Sequence, residues 1–320
     1  VGIPHDWLIG QTENLYEDST GWYRKKFFWK KAERNRVFLR FDGIYMDCHI
    51  FVNGAEAGEW KYGYTTFEIE ITEYLRNEEN EIWISVNYQT PNSRWYTGAG
   101  IYRNIWIREV SDTCIMADGI YFSAKRRNEK LWNIEIETEL EVKEQQSQDL
   151  LSITYTLDGK KEMRLLEIFL GKQYVTGTDQ TKQTVLFLTE LEEPIIWDTE
   201  NPQCYELQTV LYRNQEILQK ECQTVGFRTI ELLPDKGLLL NGRKLKLNGV
   251  CEHHDLGCLG AAFHKKAMER KFRILKQMGV NAVRLAHNMS APEVMELADE
   301  MGILIVTEAF DMWTSYKNAV

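Results

Sequence analysis

Three short clusters in the last quarter of the sequence carry the residue types that chemistry needs. They are His253-His254-Asp255, then Arg284 with His287 and Asn288, then Glu308 with Asp311 and Trp313. Each ends or follows an apolar run of strand character. Three of the chain's six histidines fall in them, a concentration not expected of histidines that only satisfy loop backbones. Imidazole, guanidinium and carboxylate groups hydrogen-bond hydroxyl-rich ligands and can hold or move protons. Hydrolysis of a glycosidic bond uses two carboxylates flanking that bond. Glu308 and Asp255 stand on one predicted rim, but strand-end carboxylates also pair with arginines such as Arg284, so position alone does not give them those roles. Two metal readings stay open: Cys251, His253, His254, Asp255 and Cys258 as zinc ligands, and Glu308 with Asp311 as oxygen ligands for a hard cation. Against the first, neighbouring side chains on extended backbone point to opposite sides, which separates His253 from His254. No glycine-rich phosphate cradle or nucleophile elbow is present.

The elements that position these clusters alternate between strand and helix. Lys244 to Val250 reads as a strand. His264 to Met278 has helical spacing, with Met268, Phe272, Leu275 and Met278 on one face, and Gly279 follows where a helix-closing glycine belongs. Asn281 to Ala286 is a buried strand, Pro292 to Met301 a helix with proline in its first turn, Gly302 its close, and Ile303 to Val306 a third strand. Strand and helix in alternation with short links give parallel pairing, and in a β/α barrel the site lies at the C-terminal ends of the strands. A complete barrel takes about 200–250 residues. Residues 229–320 have room for three β/α units, so the expectation is a truncated TIM barrel.

What precedes is β throughout. In residues 1–110 alternating runs at Trp22–Trp29, Val37–Phe41, His49–Val52, Phe67–Ile71, Glu81–Tyr88 and Ile101–Ile107 suit a jelly-roll sandwich, with Asn53-Gly54 as a hairpin turn. In residues 111–228 the runs Gly119–Ala124, Trp132–Val142, Leu151–Leu157, Gln183–Leu188 and Tyr205–Tyr212 suit an immunoglobulin-like sandwich of about seven strands, of which these five are placed. Asp158-Gly159 marks a hairpin, and Lys143 to Asp149 reads as a solvated loop. The fold class is therefore multidomain and mainly β: jelly roll, immunoglobulin-like sandwich, then the first three β/α units of a barrel.

Composition bounds the partners. The chain has 320 residues, 43% hydrophobic and 27% charged, with a net charge of −10. That sign disfavours nucleic acid and anionic membranes, and no apolar run approaches the roughly 20 residues of a membrane span. Aromatic residues reach 12%, with 10 Trp and 15 Tyr; such rings stack on sugars but also fill β-sandwich cores. The six cysteines form no Cys-x-x-Cys pair and read as free buried thiols in a reducing, cytoplasmic setting. Val1 to Trp7 has the look of mid-domain sequence, which leaves a leader open.

Six motifs in order resemble glycoside hydrolase family two, the β-galactosidase, β-glucuronidase and β-mannosidase family, over nearly the whole chain. Pro4-His5-Asp6-Trp7 resembles the opening of its sugar-binding jelly roll and Ser93 to Arg103 the close of it. Val225-Gly226-Phe227-Arg228 is similar to the exit from its immunoglobulin-like domain. Leu247 to Val250 with His253-His254-Asp255, Asn281 to Arg284 with His287, and Glu308 to Asp311 resemble its first three barrel strands. The resemblance implies a carbohydrate substrate of β-galactoside type, with glucuronide, mannoside or a purely binding role as alternatives. It implies that His253, Asp255, Arg284 and His287 line the sugar pocket, with Asn288, Asp311 and Trp313 beside them. Glu308 would be a supporting carboxylate, and Asn92 and Trp95 would reach the rim. It places the proton donor and the nucleophile after the fourth and seventh strands, beyond Val320, so that no catalytic residue lies in this chain, and it implies a retaining mechanism without a redox cofactor. Ala286, Asn288-Met289 and Met312 depart from the family pattern; Met312 replaces a magnesium-branch glutamate, so no metal is expected. The stretch His253 to Ala262 is closer to the β-galactosidase type. Self-association through an open barrel edge is expected.

Overall fold

The structure, a computed structural model, describes residues 1–10, 13–30, 35–142, 150–159, 167–175 and 181–311. Its backbone contacts divide the chain into two compact units: Val1–Glu109 with Asn248–Ala298 and residues 303–311, and Val110–Leu247 with Asp299–Gly302.

In the first unit a jelly-roll sandwich is built from β1 (Ser19–Phe28), β2 (Asn35–Phe41), β3 (Cys48–Val52), β4 (Ala55–Trp60), β5 (Phe67–Glu70), β6 (Glu79–Tyr88) and β7 (Ile105–Ser111). One sheet runs β1-β6-β3-β4, the other β5-β2-β7. Alternation puts Val37, Leu39 and Phe41 of β2 against Ile82, Ile84 and Val86 of β6 in one core, each stabilising by about 1.5–3 kcal/mol. The β3–β4 hairpin turns at Asn53 and Gly54, both with φ positive (52° and 86°), as the Asn-Gly signal requires. The expected strand from Ile101 does not form: residues 101–104 are irregular and β7 begins at Ile105. Ile101 and Tyr102 are buried without sitting in a ladder: Ile101 enters the jelly-roll core, and Tyr102 packs with Ala261 of the barrel segment.

The second unit is an immunoglobulin-like sandwich. Its strands are β8 (Thr113–Arg126), β9 (Leu131–Val142), β10 (Leu151–Gly159), β11 (Glu167–Tyr174), β12 (Lys182–Glu192), β13 (Tyr205–Arg213) and β14 (Glu216–Val225). The sheets are β11-β10-β13-β14 and β12-β9-β8, closing on Trp132, Ile136, Tyr155, Leu207 and Phe227. Asp158 and Gly159 end β10, which pairs antiparallel with β11 as the expected hairpin; the connection at 160–166 and the expected loop at 143–149 lie outside the described residues. A small antiparallel sheet follows, of β15 (Ile230–Leu233), β16 (Gly237–Leu240) and β17 (Arg243–Lys244). The single strand expected from Lys244 to Val250 is thus two: Lys244 ends this sheet, and the barrel strand starts five residues later.

The first unit resumes with β18 (Gly249–Glu252), α1 (Lys265–Gln277), β19 (Ala282–Leu285), α2 (Pro292–Met301) and β20 (Leu304–Thr307). The three strands are parallel in the order β18-β19-β20, so the described residues hold two β/α units and the third strand of the expected alternation. On α1, Met268, Phe272 and Leu275 are buried, but Met278, expected on that face, is 70% exposed: it lies past the last helical turn, where the 3.6-residue period no longer applies. Three cysteines (48, 114, 204) are buried, but Cys222, Cys251 and Cys258 are exposed free thiols, which corrects the expectation of burial. None of the described helices is long and apolar enough to cross a membrane.

Two buried charged side chains fasten the jelly roll to the barrel segment within this unit. Asp6 accepts N–H bonds from Leu8 and Ala99 at 3.0 Å on Oδ1, and on Oδ2 from Ala261 at 2.9 Å and the Tyr96 hydroxyl at 2.5 Å. Arg103 donates to the carbonyls of Asp42 (3.1 Å), Tyr64 (3.0 Å) and Met289 (2.7 Å). Asp6 belongs to the Pro4-to-Trp7 motif and Arg103 to the Ser93-to-Arg103 motif, and neither motif by itself points to these partners.

Candidate functional site

Parallel register lays the C-terminal ends of β18, β19 and β20 side by side, with Glu252, Leu285 and Thr307 in one row. The next residues on each strand are therefore neighbours, and His253, His287 and Glu308 meet there. Arg284, one residue before the end of β19, reaches across to β20. Its Nε and Nη2 donate to Glu308 Oε1 at 2.9 and 2.5 Å, while His287 Nδ1 lies 2.8 Å from Glu308 Oε2. Both carboxylate oxygens are thus engaged.

Trp95, on the loop after β6, closes the cluster from the jelly-roll side. Its ring centroid is 5.5 Å from His253 and 5.0 Å from His287, and the two imidazoles are 5.4 Å apart. Its indole N–H donates to the Tyr64 hydroxyl at 3.3 Å. His253 Nδ1 is buried without a hydrogen-bond partner, an orphan polar atom of the kind a ligand or water satisfies.

The adjacent histidines diverge as extended backbone requires. His253 joins the cluster; His254 turns the other way, its Nε2 at 2.8 Å from the Thr97 carbonyl and its ring packed against Tyr64 and Tyr102.

The remaining expected residues scatter around the rim. Asn288 Oδ1 accepts from the Tyr62 hydroxyl at 2.8 Å. Asp311 pairs with Arg94 at 2.9 Å. Asn92 donates to the Gln89 carbonyl at 2.6 Å and accepts from the Tyr45 hydroxyl at 3.2 Å. With Trp95 these three line an open cavity of about 900 Å³ walled by Tyr45, Tyr62, Tyr64 and Phe310. Asp255 holds Lys271 through its backbone carbonyl at 3.2 Å, and its carboxylate takes no part in the Arg284–Glu308–His287 group. Trp313 and Met312 lie outside the described residues. The tyrosine wall was missed because Tyr45, Tyr62 and Tyr64 belong to jelly-roll loops far away in sequence from the strand ends.

Electrostatics sort the titratable groups. Burial raises Glu308, but hydrogen bonds from His287 and Arg284 outweigh it and hold the carboxyl below its ordinary range. Burial, reinforced by the neighbouring His287, lowers His253, keeping that ring neutral at pH 7. Hydrogen bonds to the Cys251 thiol and to Glu308 raise Arg284. Among the described residues no three His, Cys, Asp or Glu side chains converge as a metal site. The cluster therefore presents a fixed anion, a neutral imidazole and an aromatic face, a set suited to orienting hydroxyl groups.

Burial pushes His254 down to about 4 from an ordinary 6.5. A histidine that is neutral when folded but takes up a proton when unfolded leaves stability intact above pH 6.5, and that stability is lost as pH falls towards 4. The full shift corresponds to about 3 kcal/mol. Urea unfolding from pH 7 to 4.5 should show this loss, and His254→Gln should flatten the slope. Equal slopes in the two proteins would refute it.

Comparison with known proteins now fits this geometry. Residues 7–117 match the sugar binding domain of glycosyl hydrolases family 2, residues 118–228 a further model of glycosyl hydrolases family 2, and residues 232–317 its TIM barrel domain. The three matches follow one another along the sequence as the domains of one multidomain family, and the chain belongs to glycosyl hydrolases family 2. It is 38% identical over 334 residues to the β-galactosidase BoGH2A of Bacteroides ovatus, covering 100% of this chain and 38% of that protein. It is 29% identical to a β-glucuronidase of Bacteroides fragilis, covering 96% of this chain and 46% of that protein. Among solved structures, a family 2 member from Bacteroides cellulosilyticus superposes with a TM-score of 0.93 at 32% identity, over 100% of this chain and 43% of that one. The chain spans about two-fifths of the length of such relatives.

Proposed function

We propose that the strand-end cluster binds the terminal sugar of a neutral β-glycoside, β-galactoside first, in a retaining glycoside hydrolase, and that the proton donor and nucleophile come from barrel strands other than these three. The observation that carries this reading is the ion pair of Arg284 with Glu308. A glucuronide needs a cation to receive its carboxylate; the guanidinium groups of Arg284 and Arg94 are engaged by Glu308 and Asp311, and Lys61, which also lines the rim cavity, is the cation to test: on the neutral-sugar reading Lys61→Met leaves turnover of the preferred glycoside unchanged. A neutral sugar needs none. Glu308, held ionised with both oxygens occupied, suits holding hydroxyls through its partners better than donating a proton. Trp95 supplies the flat apolar face against which one side of the sugar ring packs.

The test is hydrolysis of aryl β-galactoside, β-glucoside, β-glucuronide and β-mannoside by this chain and by a longer parent side by side. Turnover of the galactoside by the parent alone is expected. Preference for the glucuronide would overturn the neutral-sugar reading. Turnover by the 320-residue chain itself would return Asp255 and Glu308 to candidacy as the catalytic pair.

A further inference from the structure

The outer face of the β1-β6-β3-β4 sheet carries aromatic side chains that the strand-end cluster does not use. Along β6, Asn80, Ile82, Ile84, Val86 and Tyr88 face the core, while Glu79, Glu81, Trp83, Ser85 and Asn87 face out. Ser85 breaks the pattern: it faces outward yet is only 8% exposed. Its cross-strand neighbours are Trp22 on β1 and His49 on β3, which flank it on the same face. The Trp22 ring reaches over β6 to stack on Phe51 of β3, with centroids 6.2 Å apart and planes at 28°, and meets Trp83 edge-on at 6.3 Å and 75°. The indole therefore lies across the sheet, one face against the protein. Trp22 is nonetheless 59% exposed.

The platform is braced and its borders are polar. Trp83 donates its indole N–H to Glu81 at 2.9 Å, and the Arg24 guanidinium sits 5.2 Å over its ring. Arg24 pairs with Glu81, and Lys26 with Glu79 at 2.8 Å. On the other flank the Thr20 hydroxyl donates to Asn87 at 3.2 Å.

We propose that this face is a carbohydrate-binding platform for a neutral oligosaccharide or polysaccharide chain, with Trp22 as its stacking surface. The C–H face of a pyranose ring is apolar and weakly positive and packs on the negative face of an aromatic ring, while its hydroxyls project sideways towards the planar polar groups that flank Trp22. Charge selects the ligand: each cation of the border is matched by a carboxylate, so nothing there attracts a polyanion, and a neutral chain loses little by displacing water. A protein partner fits less well. A stable interface buries about 800 Å² on each side around a core depleted of charge, and here one exposed ring stands between rows of charged residues. Because Phe51, Trp83 and Ser85 already hold Trp22 in place, little freedom is lost on binding. This proposal stands independently of the strand-end site.

Affinity electrophoresis of the 320-residue chain in native gels tests it, with hydroxyethylcellulose, β-1,4-galactan or galactomannan as neutral polymer and polygalacturonate as the charged control. A neutral polymer that retards the chain then supplies a hexasaccharide for tryptophan-fluorescence titration. We expect retardation by at least one neutral polymer, an association constant reduced at least about tenfold in Trp22→Ala, which is about 1.4 kcal/mol, partial retention in Trp22→Phe, and no change in Tyr121→Ala, an exposed aromatic of the second unit. Trp22→Ala should keep the wild-type circular dichroism, since the side chain is largely exposed. Absence of retardation by every neutral polymer would overturn the proposal, as would retardation by polygalacturonate alone or equal retardation of Trp22→Ala. A concentration-dependent dimer in light scattering that Trp22→Ala abolishes would give the face to a second copy of the chain and also overturn it.

Discussion

Asp6→Ala is expected to destabilise the first unit by about 3–5 kcal/mol, the range for removing one partner of a buried charged network. Asp6 is 5% exposed and answers four donors: the backbone N–H groups of Leu8, Ala99 and Ala261 and the Tyr96 hydroxyl. Alanine leaves all four facing a void, and a buried donor without a partner costs about 1–3 kcal/mol. Asp6→Asn should cost less, because its oxygen keeps the Leu8 and Ala99 bonds while its N–H₂ opposes the Ala261 N–H. The surroundings are shaped to the carboxylate. Gly98 has φ +67°, and a Cβ there would stand 2.5 Å from Asp6 Oδ2, so Gly98→Ala should destabilise as well. Urea unfolding followed by tryptophan fluorescence measures each change; an Asp6→Ala midpoint within error of the wild type would show that these bonds add nothing to stability.

The same residue shows where sequence reading stops. Asp6 lies in the Pro4-His5-Asp6-Trp7 motif, but three of its four donors sit 90 to 255 residues away, and no local pattern announces a partner at that distance. Patterns confined to one element were legible. The Asn53-Gly54 turn, the glycines after α1 and α2, and the opposed directions of His253 and His254 follow from backbone geometry alone. The strands that escaped notice lack that local signature. β4 reads Ala-Glu-Ala-Gly-Glu-Trp, poor in β-branched residues, and forms because the hairpin turn delivers it to β3. β14 is half polar on both faces, with only Val225 buried, and is held by its ladder to β13. Residues 101–104 mislead in the other direction, since Ile101 fills the jelly-roll core and Tyr102 packs on the barrel segment without either joining a ladder. At the site, the strand-end clusters were legible because a parallel β/α fold puts successive strand ends together. The tyrosine wall and Arg103 were not, because they come from another domain of the fold.

In the longer family protein, Glu308→Gln is expected to lower kcat/KM for the preferred aryl glycoside by about 100-fold or more while leaving both limbs of the pH–rate profile in place. Glutamine keeps the length of the side chain, but one of its two ends becomes a donor. It can no longer accept from Arg284 on one side and His287 on the other, so one of them swings free, and a displacement of about 1 Å in a positioning group is enough to cost about 100-fold. His287→Gln should act through the same unit, so the double variant should lose much less than the product of the two single losses. Positioning and proton donation predict different pH behaviour. A general acid works when its carboxyl is raised towards neutrality, and the hydrogen bonds from His287 and Arg284 move Glu308 the other way. Its titration should therefore lie below the working range, and its loss should scale the whole profile downward. If Glu308→Gln instead abolished the alkaline limb alone, Glu308 would be the proton donor, and acid catalysis would sit within the first three strands of the barrel.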